Sequence, residues 1–268
     1  MPESETIKSE RLPVTKDKIK KDLLSLGLLP GMTVIVHSSL KSIGWVCGTE
    51  VAVIDALMDT LTEAGTLIMP THCSEYSDPA NWCNPPVPKQ WVEIIRNEMP
   101  PFRPEVTPAR HMGVIPETFR KYPKTLRSTH PQVSFCAWGK NADFVTGNHS
   151  LDYSMGENSP LARIYDLDGY VLLLGTDYDS NTSIHLAEHR TKCRGIVTCG
   201  APVLENGVRV WKNYQDIDYN EEYFKIIGND FEKKHSVNLG YIGYAESRLI
   251  KQRELVDYSV DWFLNNYH

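Results

Sequence analysis

The sequence predicts an α/β fold in which a mixed sheet is flanked by helices and interrupted by one long proline-rich insertion. Three observations carry this expectation. Residues 33–37, 49–62 and 66–70 read as strand, helix and strand, the order of a βαβ unit that favours a parallel or mixed sheet under helices. The apolar run Tyr170–Leu174 ends at a glycine and passes through a polar loop into another helix pattern. Between these, residues 74–110 hold eight of the chain's 17 prolines, each of which fixes φ and removes a backbone donor.

Taken in order, Lys16–Leu28 is an amphipathic helix pattern stopped by Gly27 and the Pro30-Gly31 turn. The β-branched run Thr33–His37 predicts a buried strand, and Thr49 stands as N-cap of a helix that reaches Thr62 and stops at Gly65. Thr66–Pro70 is a second buried strand. The 74–110 stretch contains Trp82, Trp91 and one helix-like segment, Lys89–Met99, and is expected to fold over the sheet edge as a lid or a plain surface excursion. A helix over Met112–Lys121 and a strand over Ser134–Trp138 follow. Val197 and Val208–Trp211 predict a hairpin around Glu205-Asn206-Gly207. Helices over Glu221–Lys234 and Glu254–Asn265 complete the chain, and no linker divides its 268 residues, so one domain is expected.

Composition bounds the function. With 41% hydrophobic and 23% charged residues the chain is ordinary for a globular protein. A net charge of −6 argues against nucleic acid and anionic membranes and suits a polycationic ligand. No apolar run approaches the roughly 20 residues of a membrane helix. Met1–Lys21 has no apolar leader core, so a cytoplasmic protein is expected, as a monomer or homodimer. The six cysteines form no C-x-x-C pair and read as reduced thiols.

Gly169–Arg190 is the segment richest in chemistry. A buried strand crosses a polar loop into a helix capped by Ser180 or Asn181, and in α/β sheets ligands gather at the carboxyl ends of strands. Thr182, His185 and Glu188 or His189 share one helix face, and Asp179 lies just before it. The helix N-terminus disfavours imidazolium, whereas a neighbouring carboxylate favours it and fixes the tautomer; together they suit His185 to general-base work. His185 and His189 have the spacing of a helical zinc pair. Leu186 stands where the metalloprotease motif needs Glu, and no third ligand follows, so no metal is expected and His189 reads as helix surface or packing.

Two further segments resemble ligand loops. His37-Ser38-Ser39-Leu40-Lys41-Ser42-Ile43-Gly44 follows the first strand with hydroxyls and amides suited to a phosphate or a thioester arm, and lacks the P-loop and G-x-G-x-x-G patterns. Arg127-Ser128-Thr129-His130 places an arginine and hydroxyls before a proline turn, a phosphate grip or an exposed arginine. No nearby sequence shows Cys73, beyond the second strand, paired with a base, and it reads as buried and inert.

The pieces TVIVHSSLKSIGWVCG, GTLIMPTHCSE, RSTHPQVSFCAWG, ENSPLARIYDLDGYVLLLG, DSNTSIHLAEHR and GYAESRLIKQRELVDY, in this order, resemble the aminoglycoside 3-N-acetyltransferase family from about Lys16 to Trp262. The resemblance implies a family-specific fold distinct from the other large acetyltransferase superfamily, with acetyl-coenzyme A as donor and no metal. It implies that His37, Ser38, Ser39, Ser42, Ile43 and Gly44 line the pantetheine and pyrophosphate. Pro70 and Thr71 would flank the thioester, and Arg127, Ser128 and His130 would meet the nucleotide end. His185 matches the catalytic histidine, with Asp179, Thr182 and Glu188 beside it. The activity implied is direct acetyl transfer to the 3-amino group of a 2-deoxystreptamine aminoglycoside. Glu75, Asp78 and Asp177 are expected to attract the cationic sugar. The alternatives are a same-fold acetyltransferase for another amine and a coenzyme A-binding protein without turnover.

Overall fold

The computed structural model describes residues 11–267, so the reading of a leader-free N-terminus falls in part outside the described residues. Helix α1 (Lys16–Leu26) begins where Thr15 accepts a bond from the Lys18 N–H through its side chain, and it ends at Gly27. Strand β1 (Thr33–Ser38) runs into the single-turn helix α2 (Leu40–Ile43). Helix α3 (Thr49–Leu61) and strand β2 (Thr66–Pro70) complete the βαβ unit. The cap of α3 departs from expectation: Gly48 is the capping residue, and Thr49, the first residue of the helix span, is itself in the left-handed region at φ 54°. The cause is a tight turn in which the Thr49 N–H donates to Val46 O at 3.0 Å, with Val46 bridged to Val14.

Beyond β2, residues 74–110 hold two single 3-10 turns and helix α4 (Val92–Glu98). Next come α5 (Val114–Phe119), the short β3 (Leu126–Arg127), β4 (Phe135–Gly139), α6 (Ala142–Thr146) and α7 (Pro160–Asp166). Strand β5 (Tyr170–Leu174) leads through a 3-10 turn into α8 (Ile184–Thr191). The expected hairpin is longer than the sequence suggests: β6 (Ile196–Glu205) and β7 (Val208–Ile217) pair over their full length as a separate two-stranded sheet. Its turn is Asn206-Gly207, both at positive φ as a two-residue hairpin loop demands. Helix α9 (Phe224–Lys234) starts three residues later than predicted, and β8 (Asn238–Ile242), β9 (Ala245–Lys251) and α10 (Gln252–Asn266) end the described chain.

The main sheet has the order β3-β4-β2-β1-β5-β9-β8. Central β1 is parallel to β2 and β5, and every other pairing is antiparallel, so the sheet is mixed as expected. Alternation along the strands divides the core. Val34, Val36, Leu67, Met69, Leu172 and Leu174 face α1, α3 and α5. Ile35, Ile68, Val171 and Leu173 face α6 to α10. Both faces of the three central strands are therefore buried, which is why these strands read as continuous apolar runs.

The 74–110 stretch is fastened to the hairpin and to β3. The Phe102 N–H donates to Pro202 O at 3.0 Å, Arg209 donates to the carbonyls of Met99 and Arg96, and Arg127 donates to those of Pro104 and Thr107.

Candidate active site

The carboxyl ends of β1 and β2 and the loop after β5 meet at a cavity of about 630 Å³, where the sheet geometry places ligands. Gly175 ends β5 at φ 68°, and a Cβ there would stand 2.6 Å from the Ser42 Cβ and 3.0 Å from the Ala245 Cβ. The glycine thus lets the strand end press against α2 and β9, with Ser42 Oγ 3.0 Å from Gly175 O and 2.9 Å from Ser39 Oγ. The chain then turns through Tyr178–Ser180, and Asn181 Oδ1 accepts the Ser183 N–H at 3.1 Å to open α8.

His185 sits in the first turn of α8 with its ring almost wholly buried, between the rings of Tyr219 (4.7 Å) and Phe224 (4.8 Å). One helical turn on, the Glu188 carboxylate has no exposed surface and lies 2.6 Å from His185 Nδ1. A carboxylate only accepts, so Nδ1 carries the proton and Nε2 is left as the basic nitrogen. Nε2 faces the cavity, 3.7 Å from Oε1 of the largely exposed Glu221. The second oxygen of Glu188 accepts from Arg194 Nε at 2.6 Å. An imidazole held in this way can take a proton from a cavity ligand while the carboxylate stabilises the resulting cation.

The cavity wall carries buried polar atoms without a protein partner: His37 Nε2, Ser38 Oγ, His72 Nε2 and Thr182 Oγ1. Burial pushes His37 down to about 3, with His185 contributing repulsion. The same desolvation holds His72 at about 3, reinforced by His185 and His37. Both rings are therefore neutral at ordinary pH and offer hydrogen bonds without adding positive charge.

Seven of the sequence-predicted residues line this cavity: His37, Ser38, Ser39, Pro70, Asp179, Thr182 and His185. Glu188 stands directly behind His185, and Ser42 braces the loop beneath Ser39. The remainder lie elsewhere. Ile43 is core, Gly44 abuts Tyr244, and the Thr71 N–H donates to Ser134 O at 2.8 Å. Arg127 donates to Thr71 O at 2.7 Å, to Pro104 O and Thr107 O, and to Ser134 Oγ at 3.1 Å. Ser128 Oγ accepts the Phe135 N–H and meets His149 Nδ1, both at 2.9 Å. His130 borders a second cavity of about 270 Å³ with Thr129 and Lys212. Among the acidic residues, Glu75 is ion-paired with Arg110 and His111, Asp78 with Arg96, and Asp177 with Lys225.

Cys73 is buried, its thiol donating to Pro108 O at 2.9 Å, and burial raises its pKa. No residue of 74–110 lines the cavity, whereas the following strap His111–Pro116 does. No group of three or more His, Cys, Asp and Glu side chains suited to a metal ion occurs among the described residues.

A family model for aminoglycoside 3-N-acetyltransferase matches residues 35–264, almost the whole described chain. The chain belongs to this acetyltransferase family. The SPbeta prophage-derived aminoglycoside N(3')-acetyltransferase-like protein YokD of Bacillus subtilis (strain 168) is 49% identical over 97% of this chain and 96% of its own length. The crystal structure of YokD matches with a TM-score of 0.97 at 98% coverage of both chains. Aminoglycoside N(3)-acetyltransferase VII of Streptomyces paromomycinus is 35% identical over 98% of this chain and 96% of its own. The solved binary complex of AAC-IIIb with CoASH, 30% identical, covers 96% of this chain and 98% of that one with a TM-score of 0.86. The enzyme class is accordingly acyl transfer.

Within this family member the sequence reading missed one wall of the site. His72, the strap 111–116, Tyr219, Glu221 and Phe224 reach the cavity from segments far apart in the chain. His72 had a signal, since it directly follows the Pro70-Thr71 motif at a strand end. Of the two readings of His189, surface or packing, packing holds: its side chain is 7% exposed and its Nε2 lies 2.8 Å from Tyr219 OH, which in turn donates to Asp216 at 2.7 Å. No local pattern announces that network, because Tyr219 lies 30 residues beyond His189.

Proposed function

We propose that the chain transfers the acetyl group of acetyl-coenzyme A to the 3-amino group of a 2-deoxystreptamine aminoglycoside, directly and within a ternary complex. The observation that carries this reading is the buried Glu188–His185 pair, whose free Nε2 opens onto a cavity lined by unpartnered polar atoms. As the amine nitrogen attacks the thioester carbonyl, Nε2 takes its proton. The C–N bond forms, the C–S bond breaks, and the proton passes to the departing thiolate.

Ser38 is assigned as the oxyanion donor, because its buried hydroxyl has no protein partner whereas the Thr71 amide already donates to Ser134. The donor's pantetheine arm is assigned to Ser38, Ser39 and the α2 turn with Lys41 at the cavity rim. Its nucleotide end is assigned to the second cavity at His130, with Arg127 and Ser128 holding that segment from behind. Asp179 and Glu221, the carboxylates on the main cavity, take the ammonium groups of the amine substrate. The coenzyme in AAC-IIIb and the substrate named for acetyltransferase VII support this assignment.

The test is acetyl-coenzyme A turnover across a panel of aminoglycosides and simple amines, with the acetylated nitrogen located by NMR. Acetylation at N3 of the deoxystreptamine ring is expected. Turnover confined to simple amines would overturn the substrate assignment, and a stable acetyl mass on Cys73 would overturn direct transfer.

A further inference from the structure

We propose that Arg194 is a positioning residue that fixes the base and the substrate-facing turn to one another, an inference that rests on His185 being the base. Its guanidinium is nearly buried, with 6% of the side chain exposed, and its nitrogens reach three different partners. Nε donates to Glu188 Oε1 at 2.6 Å, Nη1 to Tyr267 OH at 3.0 Å, and Nη2 to Asn220 O at 3.0 Å. Asn220 is the residue between Tyr219, whose ring flanks His185, and Glu221, whose carboxylate faces Nε2. One planar group therefore ties the carboxylate that orients the imidazole to the turn that forms the opposite wall of its slot.

The chemistry demands a guanidinium. A lysine ammonium is a point charge on a flexible stem and cannot hold three acceptors in the fixed fork that this geometry uses. Stacking on Tyr267, at 4.9 Å, holds the guanidinium plane in the same orientation. Without Arg194, Glu188 would keep its contact to Nδ1 but lose its own anchor, and the Tyr219–Glu221 turn would be held to α8 only through the Tyr219 contacts with His185 and His189. The expected defect lies in the chemical step rather than in coenzyme binding, because Arg194 does not reach the main cavity.

The experiment compares Arg194→Met and Arg194→Lys with wild type, using acetyl-coenzyme A and an amine the wild type turns over. Arg194→Met should lower kcat at least about tenfold, within the ~10²–10⁴-fold that the base itself contributes. The coenzyme-induced rise in Tm should be unchanged, and Arg194→Lys should fall between the two. On a Glu188→Gln background, Arg194→Met should cost little further rate, since residues acting as a unit are not additive.

If Arg194→Met does not fold, Arg194→Lys carries the test, and a wild-type kcat in it overturns the inference. A folded Arg194→Met at wild-type kcat, or an equal multiplicative loss on both backgrounds, overturns it as well. His185→Ala separates the two levels: if that variant keeps its rate the base assignment fails, whereas its loss beside an unaffected Arg194→Met sinks only the present inference.

Discussion

The wall made by His37, Ser38, His72 and Thr182 and the cluster made by Arg127, Ser128, His130 and His149 are built from similar residue types, yet their polar atoms end differently. In the wall, four buried nitrogens and oxygens have no protein partner and face a cavity. In the cluster, His149 bonds Ser128 Oγ at 2.9 Å and Ser154 O, His130 bonds Leu151 O at 3.1 Å, and Arg127 holds four oxygen atoms. Buried polar groups are nearly always satisfied, so an unsatisfied set beside a cavity marks a place where a ligand completes the bonding. A satisfied set marks architecture, here the back wall of the second cavity. The sequence shows the same motif grammar in both regions, and only the bonding tells them apart.

The largest effect should come from breaking the satisfied side. Arg127→Met leaves the carbonyls of Pro104 and Thr107 without this donor and Thr71 O with the Ser134 hydroxyl in its place, and should lower stability by about 3 kcal/mol, read by urea unfolding. The folded fraction should still respond to acetyl-coenzyme A. Full stability together with lost coenzyme binding would instead make Arg127 a ligand contact.

Acid should act on both regions. Burial holds His37 and His72 at about 3 and His149 at about 4, and keeps His130 well below its ordinary value. The unfolded chain protonates these rings near 6.5, so below that pH it binds protons that the folded chain refuses. Stability is therefore full above about pH 6.5 and is lost as pH falls toward the folded values, by up to ~1.4 kcal/mol per pH unit for each ring. Unfolding curves at pH 7.5 and 5.5 should show the loss, and His149→Gln should reduce it. A flat profile between these pH values would contradict the buried neutral assignment.

The smallest effect on stability belongs to the unsatisfied side. Ser38→Ala removes a hydroxyl with no protein partner, so its ΔG of unfolding should stay within about 0.5 kcal/mol of wild type. Its kcat should nevertheless fall about 10²-fold or more if the hydroxyl is the oxyanion donor. An unstable Ser38→Ala would place this side chain with the architecture instead.

Legibility followed the same division. The central strands β1, β2 and β5 were readable because burial on both faces leaves uninterrupted apolar runs, and the Asn206-Gly207 hairpin because its turn chemistry is local. Strands β8 and β9 were not anticipated. Only Ile242 of β8 is buried, so an edge strand of mixed polarity shows no alternation to detect. In the site, His185 and Glu188 were visible as neighbours on one helix turn. Tyr219 and Glu221 were not, because their relation to His185 exists only after the hairpin has returned the chain to α8; Arg194, six residues beyond Glu188, lies past the helix end, where helical spacing predicts no contact.

The central claim is that His185 Nε2, with Nδ1 held by Glu188, is the base. The most direct measurement is steady-state kinetics of His185→Ala beside wild type on the same amine, with the acetyl-coenzyme A-induced Tm shift recorded for both. A kcat lower by about 10²–10⁴-fold with an unchanged shift is expected. Turnover at the wild-type rate, with that shift intact, would contradict it.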